Sequence, residues 1–234
     1  LVNYNFQDDG ITFITLNSPP VNALSKGFIS QLHKAILEVK ENEMARVLIL
    51  SSSVKHFCAG LDLKEQDGMD EKAAALSVKK VNACYNDLAS LQIPTICTIH
   101  GAAMGGGAEL SLCCDFRVMA DSAKIGFPET GLSLIPGAGG TQRLPRLIGI
   151  SKAKYWIFSA NHFISEEALE DGVVDFLAAD DELLETSIEL AHEFLKNAPL
   201  GVKSAKKAIV SGLEFPLEEA LMKERDAYNS TLNT

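Results

Sequence analysis

Apolar residues along this chain follow two rhythms. Residues 2–7 and 10–17 (GITFITLN) alternate around Asp8-Asp9-Gly10, the pattern of two strands joined by a tight turn. The SPPVNAL stretch interrupts it. Phe28, Ile29, Leu32, Ile36 and Val39 then recur at helical spacing and predict a helix over about 25–41. The unbroken run Val47-Leu48-Ile49-Leu50 reads as a strand buried on both faces, expected to be parallel to its neighbours. A turn at HFCAG follows, then a long helix over about 70–91 with Leu76, Val81, Cys84, Leu88 and Leu91 on its apolar face. Residues 94–99 predict a strand leading into Gly105-Gly106-Gly107 and a helix through Leu112. Strands at 115–119 and 124–127, the PGAGG turn at 136–140 and a helix near 139–148 come next. Strand, turn and helix thus recur in series, which implies βαβ crossovers and a sheet covered by helices.

The last third is mostly helical, over 151–160, 165–171, 180–197, 199–212 and 216–231, with a short strand at 173–178. Ser165 before Glu166 and Glu167, and Asp180 before Asp181 and Glu182, are expected N-caps. With no linker, repeat or low-complexity segment, the simplest account is an α/β core over 1–178 and a helical C-terminal region over 179–234. The stripe Leu183, Leu184, Ile188, Leu190, Ala191 and Leu195 needs burial, on its own sheet or against another subunit.

Composition narrows the function classes. A net charge of -10 argues against nonspecific binding to nucleic acid or an anionic membrane, and leaves room for an anionic ligand in a local pocket. No apolar run has the length of a membrane span. The cysteines (58, 84, 97, 113 and 114) lack C-x-x-C spacing and sit among apolar residues, as buried reduced thiols do. That suits a reducing compartment, the cytoplasm or mitochondrial matrix. Cys58, beside a glycine turn, is the one candidate for a catalytic thiol, and the weaker reading of it. The histidines show no paired spacing, so no metal site is expected.

Candidate chemistry concentrates between residues 100 and 143, where two glycine-dense turns each have an acid close by, Glu109 and Glu129. If Gly106 opens a helix, its N–H has no intrahelical partner and lies at the positive end of the dipole, while Glu109 falls one turn away on the same face. A second free N–H is expected at Leu61, just after Gly60. Two such donors aimed at a thioester oxygen would stabilise an enolate. Each feature alone has a plainer account: the glycines as packing devices, Glu109 as a solvated first-turn acid, Glu129 as a turn acid, Asp62 and Lys64 as an exposed pair. Their joint occurrence favours chemistry. The glycine turns match neither G-x-G-x-x-G nor a P-loop, and no G-x-S-x-G is present.

FCAGLDLKE at 57–65, HGAAMGGGAELSLCCDFRVMA at 100–120 and FPETGLSLIPGAGGTQRLPRLIG at 127–149 resemble the enoyl-CoA hydratase/isomerase (crotonase) superfamily, and the likeness extends over nearly the whole chain. It implies a spiral of repeated ββα units with a helical C-terminal extension, usually as a homotrimer or dimer of trimers. It implies backbone donors at Leu61 and Gly106, and Glu109 and Glu129 as the catalytic pair; keeping both acids favours hydratase over isomerase. It further implies a water-holding N–H at Gly137, and CoA and substrate contacts along Ala23, Ala59, Leu61, Asp62, Leu63, Lys64, Gly106 and Pro128. The substrate would be an acyl-CoA thioester, with CoA part of the substrate and no separate cofactor. The stretches FCAG-DLKE and GTQRLPR-IG are most similar to the methylglutaconyl-CoA hydratase branch. That branch includes a member binding AU-rich RNA through a lysine stripe on its first long helix; here Lys26 and Lys34 are interrupted by Ser30, so no nucleic acid partner is expected. A lysine frequent before NAL in relatives is absent, and the chain ends before the family's usual charged tail.

Overall fold

The computed structural model of the chain describes residues 1–62, 65 and 67–232. β1 (Val2–Phe6) and β2 (Ile11–Leu16) form the expected antiparallel hairpin, its turn closed by the Ile11 N–H donating to Asp9 Oδ1 at 2.9 Å. Ser25 caps α1 (Lys26–Glu41) by accepting the Phe28 N–H, and the helix buries the predicted Phe28, Ile29, Leu32, Ile36 and Val39. β3 (Val47–Ser52) lies parallel to β2. Asp70 caps α2 (Glu71–Ala89), which buries Val81, Cys84, Tyr85 and Leu88. Leu76 departs from the expectation and is 55% exposed. It precedes Val81 by five residues, about 140° around a helix of 3.6 residues per turn, and so misses the buried face.

Next come β4 (Thr95–Ile99), β5 (Ala102–Met104), α3 (Gly106–Ser111), β6 (Phe116–Ala120) and β7 (Lys124–Gly126). A 3₁₀ turn (Pro128–Leu132), α4 (Gly140–Ile148), α5 (Ile150–Ser159), β8 (His162–Ile164), α6 (Ser165–Glu170) and β9 (Phe176–Ala178) follow, and α7 (Leu183–Leu195), α8 (Pro199–Gly212) and α9 (Leu217–Thr231) end the fold. Strands pair in the orders β1-β2-β3-β4-β6-β9 and β5-β7-β8. The middle turns of the chain send one segment into the large sheet, the next to the small one, then a helix. β4, β5 and α3 make one such unit, and β6, β7 and the helices after them another. β3 fits the same scheme, because Cys58 bridges to Ala103 before α2 begins. This is the expected spiral of ββα units with helices at its C-terminal end.

β5 and β8 are absent from the sequence expectations. Three residues cannot display a period of two, and both strands exist only through distant partners, Ala103 with Ile125 and Phe163 with Ile125. Neither predicted cap in the last third caps. Ser165 begins α6 and its hydroxyl donates to the Asp121 carbonyl at 2.7 Å; Glu167 Oε2 instead accepts the Ile164 N–H. Asp180 accepts from the Ser122 hydroxyl, and α7 starts later, at Leu183.

α7 lies across β3, β4, β6 and β9, burying Leu183, Ser187 and Ala191 and setting Phe194 against Phe116 with ring centroids 5.0 Å apart. Leu184 of the predicted stripe stays exposed. α8 and α9 pack mainly on each other, and neither has a fully buried residue. Lys206 ties α8 to the core through Asp115 Oδ2 at 2.6 Å and the Ile93 carbonyl at 2.7 Å. Among the described residues, no helix is long and apolar enough to cross a membrane.

Candidate active site

The segment after β3 runs beside the start of the small sheet. Phe57 N–H donates to the His100 carbonyl, Cys58 N–H to Ala102, and Met104 N–H back to Cys58, all between 3.0 and 3.1 Å. This ladder carries Gly60 against Met104. Gly60 has φ +89°, and a Cβ there would lie 2.6 Å from the Met104 carbonyl oxygen and 3.2 Å from the Gly106 nitrogen. Only glycine meets both demands. A Cβ on Gly106 would stand 3.8 Å from the Leu61 nitrogen and 2.7 Å from Leu24 Cδ1. The Leu61 and Gly106 N–H groups therefore lie side by side, Gly106 as the first residue of α3. Neither donates to a group among the described residues.

The loop 18–24 supports this arrangement from behind. Ala59 N–H donates to Val21, and Leu24 N–H to Gly60 at 2.8 Å. Asn22 is fully buried with φ +52°. Its Nδ2 donates to Ser52 Oγ and the Phe57 carbonyl at 2.9 Å, and its Oδ1 accepts the Ser18 N–H at 2.7 Å. The sequence expectations missed Asn22; an asparagine just after the Pro-Pro turn, a residue tolerant of left-handed backbone, was the available signal. Cys58 is no nucleophile: its thiol is buried, donates to the Asn22 carbonyl at 3.1 Å and is pushed up to about 12. All five thiols are free and buried.

Glu109 is not the solvated acid of the plainer account. It is 2% exposed, and its Oε1 accepts two backbone donors, the Ala138 N–H at 2.8 Å and the Gly140 N–H at 2.7 Å. Burial drives its carboxyl up to about 7; the two donors and the Arg143 charge pull the other way, and Glu129 adds to the rise. Gly137 itself is exposed, and its carbonyl accepts from Asn82 at 2.9 Å. Glu129 follows Pro128 in the 3₁₀ turn and is 9% exposed. A Cβ on Gly105 would lie 2.9 Å from its Oε1, while its Oε2 is buried with no partner among the described residues. Burial raises this carboxyl as well.

The structure thus brings together Leu61, Gly106, Glu109 and Glu129, with Gly105 and Pro128 beside them. Ala23 is half-buried and Ala59 exposed along the same edge, and Asp62 Oδ1 accepts the Glu65 N–H at 3.3 Å. Leu63 and Lys64 lie outside the described residues. Two N–H groups without partners among the described residues, next to two buried carboxyls, can polarise a carbonyl and move protons at neighbouring carbons.

Comparison with known proteins agrees with this chemistry. The family model described as enoyl-CoA hydratase/isomerase matches residues 7–234. The chain is 43% identical over 218 residues to the mitochondrial methylglutaconyl-CoA hydratase of Mus musculus, covering 91% of this chain and 69% of that protein. It is 42% identical over 233 residues to YngF of Bacillus subtilis (strain 168), covering 99% and 90%. A crystal structure of enoyl-CoA hydratase from Bacillus anthracis superposes with a TM-score of 0.96 at 39% identity, covering 100% of this chain and 91% of that one. With the two-sheet spiral and the acid pair in place, the chain belongs to the enoyl-CoA hydratase/isomerase family.

Proposed function

We propose that the protein catalyses reversible syn addition of water across the α,β double bond of an acyl-CoA thioester, giving a 3-hydroxyacyl-CoA. The observation that carries this reading is the unequal setting of the two glutamates. Glu109 has two N–H donors on one oxygen, which favour its ionised form against the burial that raises its carboxyl to about 7; Glu129 Oε2 is buried with no partner among the described residues, and burial raises that carboxyl too. In this scheme Leu61 and Gly106 N–H groups hold the thioester oxygen as negative charge develops. Glu109 takes a proton from water as the water oxygen bonds to Cβ, and Glu129 gives its proton to Cα. The atoms of one water are thereby added, and a proton passes from Glu109 to Glu129 to reset the site. Double-bond isomerisation on the same site needs a single acid as shuttle, so the presence of two favours hydration.

Short or branched acyl chains are the proposed substrates, on the likeness to the mouse methylglutaconyl-CoA hydratase. Five buried free thiols support a reducing compartment, the cytoplasm or mitochondrial matrix. Purified protein mixed with crotonyl-CoA should deplete the enoyl absorbance. A panel of enoyl-CoA thioesters none of which turns over would overturn the reading.

The same reading includes assembly into a trimer or dimer of trimers. Its support lies in α8 and α9, where Ile209, Leu213, Leu217, Met222 and Tyr228 are exposed, Leu213 at 82%. Light scattering over about a hundredfold dilution should report a constant oligomer, as obligate interfaces give. A fully active monomer near 25.2 kDa would refute it.

A further inference from the structure

One face of α2 reaches Gly106, the loop that holds Glu109 and the Arg143 side chain beside it. Asn82, Tyr85 and Asn86 stand at i, i+3 and i+4 and so on one side of the helix. Asn82 Nδ2 donates to the Gly137 carbonyl at 2.9 Å, Tyr85 Oη donates to the Gly106 carbonyl at 2.6 Å, and Asn86 Oδ1 accepts from Arg143 Nη2 at 2.8 Å. Gly137 lies in the loop whose Ala138 and Gly140 N–H groups hold Glu109. Arg143 projects from α4, and its Nε is buried with no partner among the described residues, so the Asn86 bond carries its anchoring. The helix is braced from its other side, where Asp87 meets His33 Nε2 at 2.7 Å and Lys40 Nζ at 3.3 Å on α1.

We propose that the Asn82–Tyr85–Asn86 face of α2 is a positioning device for the reaction, fixing the donors and the cation around Glu109 and the carbonyl of Gly106 without itself touching the reacting atoms. This rests on the reading of Glu109 as the base. The groups facing Glu109 are Glu129 from the 3₁₀ turn, Arg143 from α4, Tyr85 from α2 and Cys113 just past α3. Burial raises the Tyr85 phenol and the Cys113 thiol, leaving both neutral. Near neutral pH the groups whose charge state matters are therefore the two glutamates, which titrate, and the guanidinium, which does not. Without Asn82 the loop donors relax; without Asn86 the guanidinium is released. Each loss removes something that favours ionised Glu109, so each moves the acid limb of turnover to higher pH.

The test is the pH profile of kcat on crotonyl-CoA for the unmodified protein and for Asn82→Leu, Asn86→Leu, Asn86→Gln and Tyr85→Phe. Both leucine variants should raise the acid limb by about 0.5–1 pH unit, lowering turnover at pH 6 roughly three- to tenfold and leaving the alkaline plateau within about twofold. Asn86→Gln, which keeps an amide acceptor, should restore most of the limb. Tyr85→Phe should lower kcat about tenfold at every pH with no displacement, because it loosens Gly106 and not Glu109. Asn86 is exposed and Asn82 half-buried, so folding is preserved in the asparagine variants. An unmoved limb in both leucine variants, or a uniform fall in rate without a shift, overturns the proposal. If the unmodified protein turns over no enoyl-CoA, the hydratase reading fails instead. Positioning is then decided by ¹³C NMR titration of the Glu109 carboxyl, which must rise in both leucine variants.

Discussion

Glu109→Gln and Glu129→Gln should each lower kcat for hydration of crotonyl-CoA by about 10²- to 10⁴-fold, with KM changed far less. Glutamine keeps the shape and, at position 109, an oxygen able to accept the Ala138 and Gly140 N–H groups. What it loses is the ability to take up and release a proton. A reaction run by one shuttling acid would spare one of the two variants; if either keeps hydration nearly intact, the two-acid scheme is wrong. The same variants carry a stability signature of opposite sign. Both carboxyls have folded-state pKa values raised by burial, so their contribution to stability is full below the ordinary glutamate value of 4.5 and is lost as pH rises, for Glu109 through about 7. Thermal melts at pH 8 should therefore place both glutamine variants above the unmodified protein, and the gap should narrow as pH falls toward 4.5. Lower activity with higher stability is the signature of a strained catalytic pair.

Gly60→Ala should lower kcat by about 10²- to 10³-fold while leaving both glutamates in place. Its φ of +89° resists any side chain, and the new Cβ would meet the Met104 carbonyl oxygen at 2.6 Å, a backbone atom that no rotamer change can move. The peptide joining Gly60 to Leu61 must shift, and the Leu61 N–H shifts with it. Loss of one such donor costs about 3–4 kcal/mol of transition-state stabilisation. Gly172→Ala separates this effect from general backbone strain. It has φ +80°, its nearest neighbour is Ile148 Cγ2 at 3.9 Å, and it lies in the turn after α6, outside the proposed machinery. Both variants should melt lower by the strain of a left-handed alanine, and only Gly60→Ala should lose turnover. Equal activity in the two would remove Leu61 from the mechanism.

Much of this was legible along the chain. The repeats of Phe28, Leu32 and Ile36, the run Val47 to Leu50 and the buried strand at 94–99 fixed α1, β3 and β4, because each is a local rhythm that any partner surface must respect. The site was partly legible too. Gly106 and Glu109, three residues apart on one helical turn, tie an N–H to a carboxyl by helix geometry alone. Other features depended on tertiary structure. β5 and β8 are strands only because Ala103 and Phe163 flank Ile125. Ser165 and Asp180 carry the chemistry of caps, yet Asp121 and Ser122 claimed them first. Glu109 became a buried, hydrogen-bonded carboxyl through donors 29 and 31 residues away, and α2 reached Gly137 across 55. Sequence spacing specifies what a turn of helix or a stretch of strand can offer. Which distant donor fills a given carboxylate is decided by packing, since hydrogen bonds are made by atoms within about 3 Å whatever their separation along the chain.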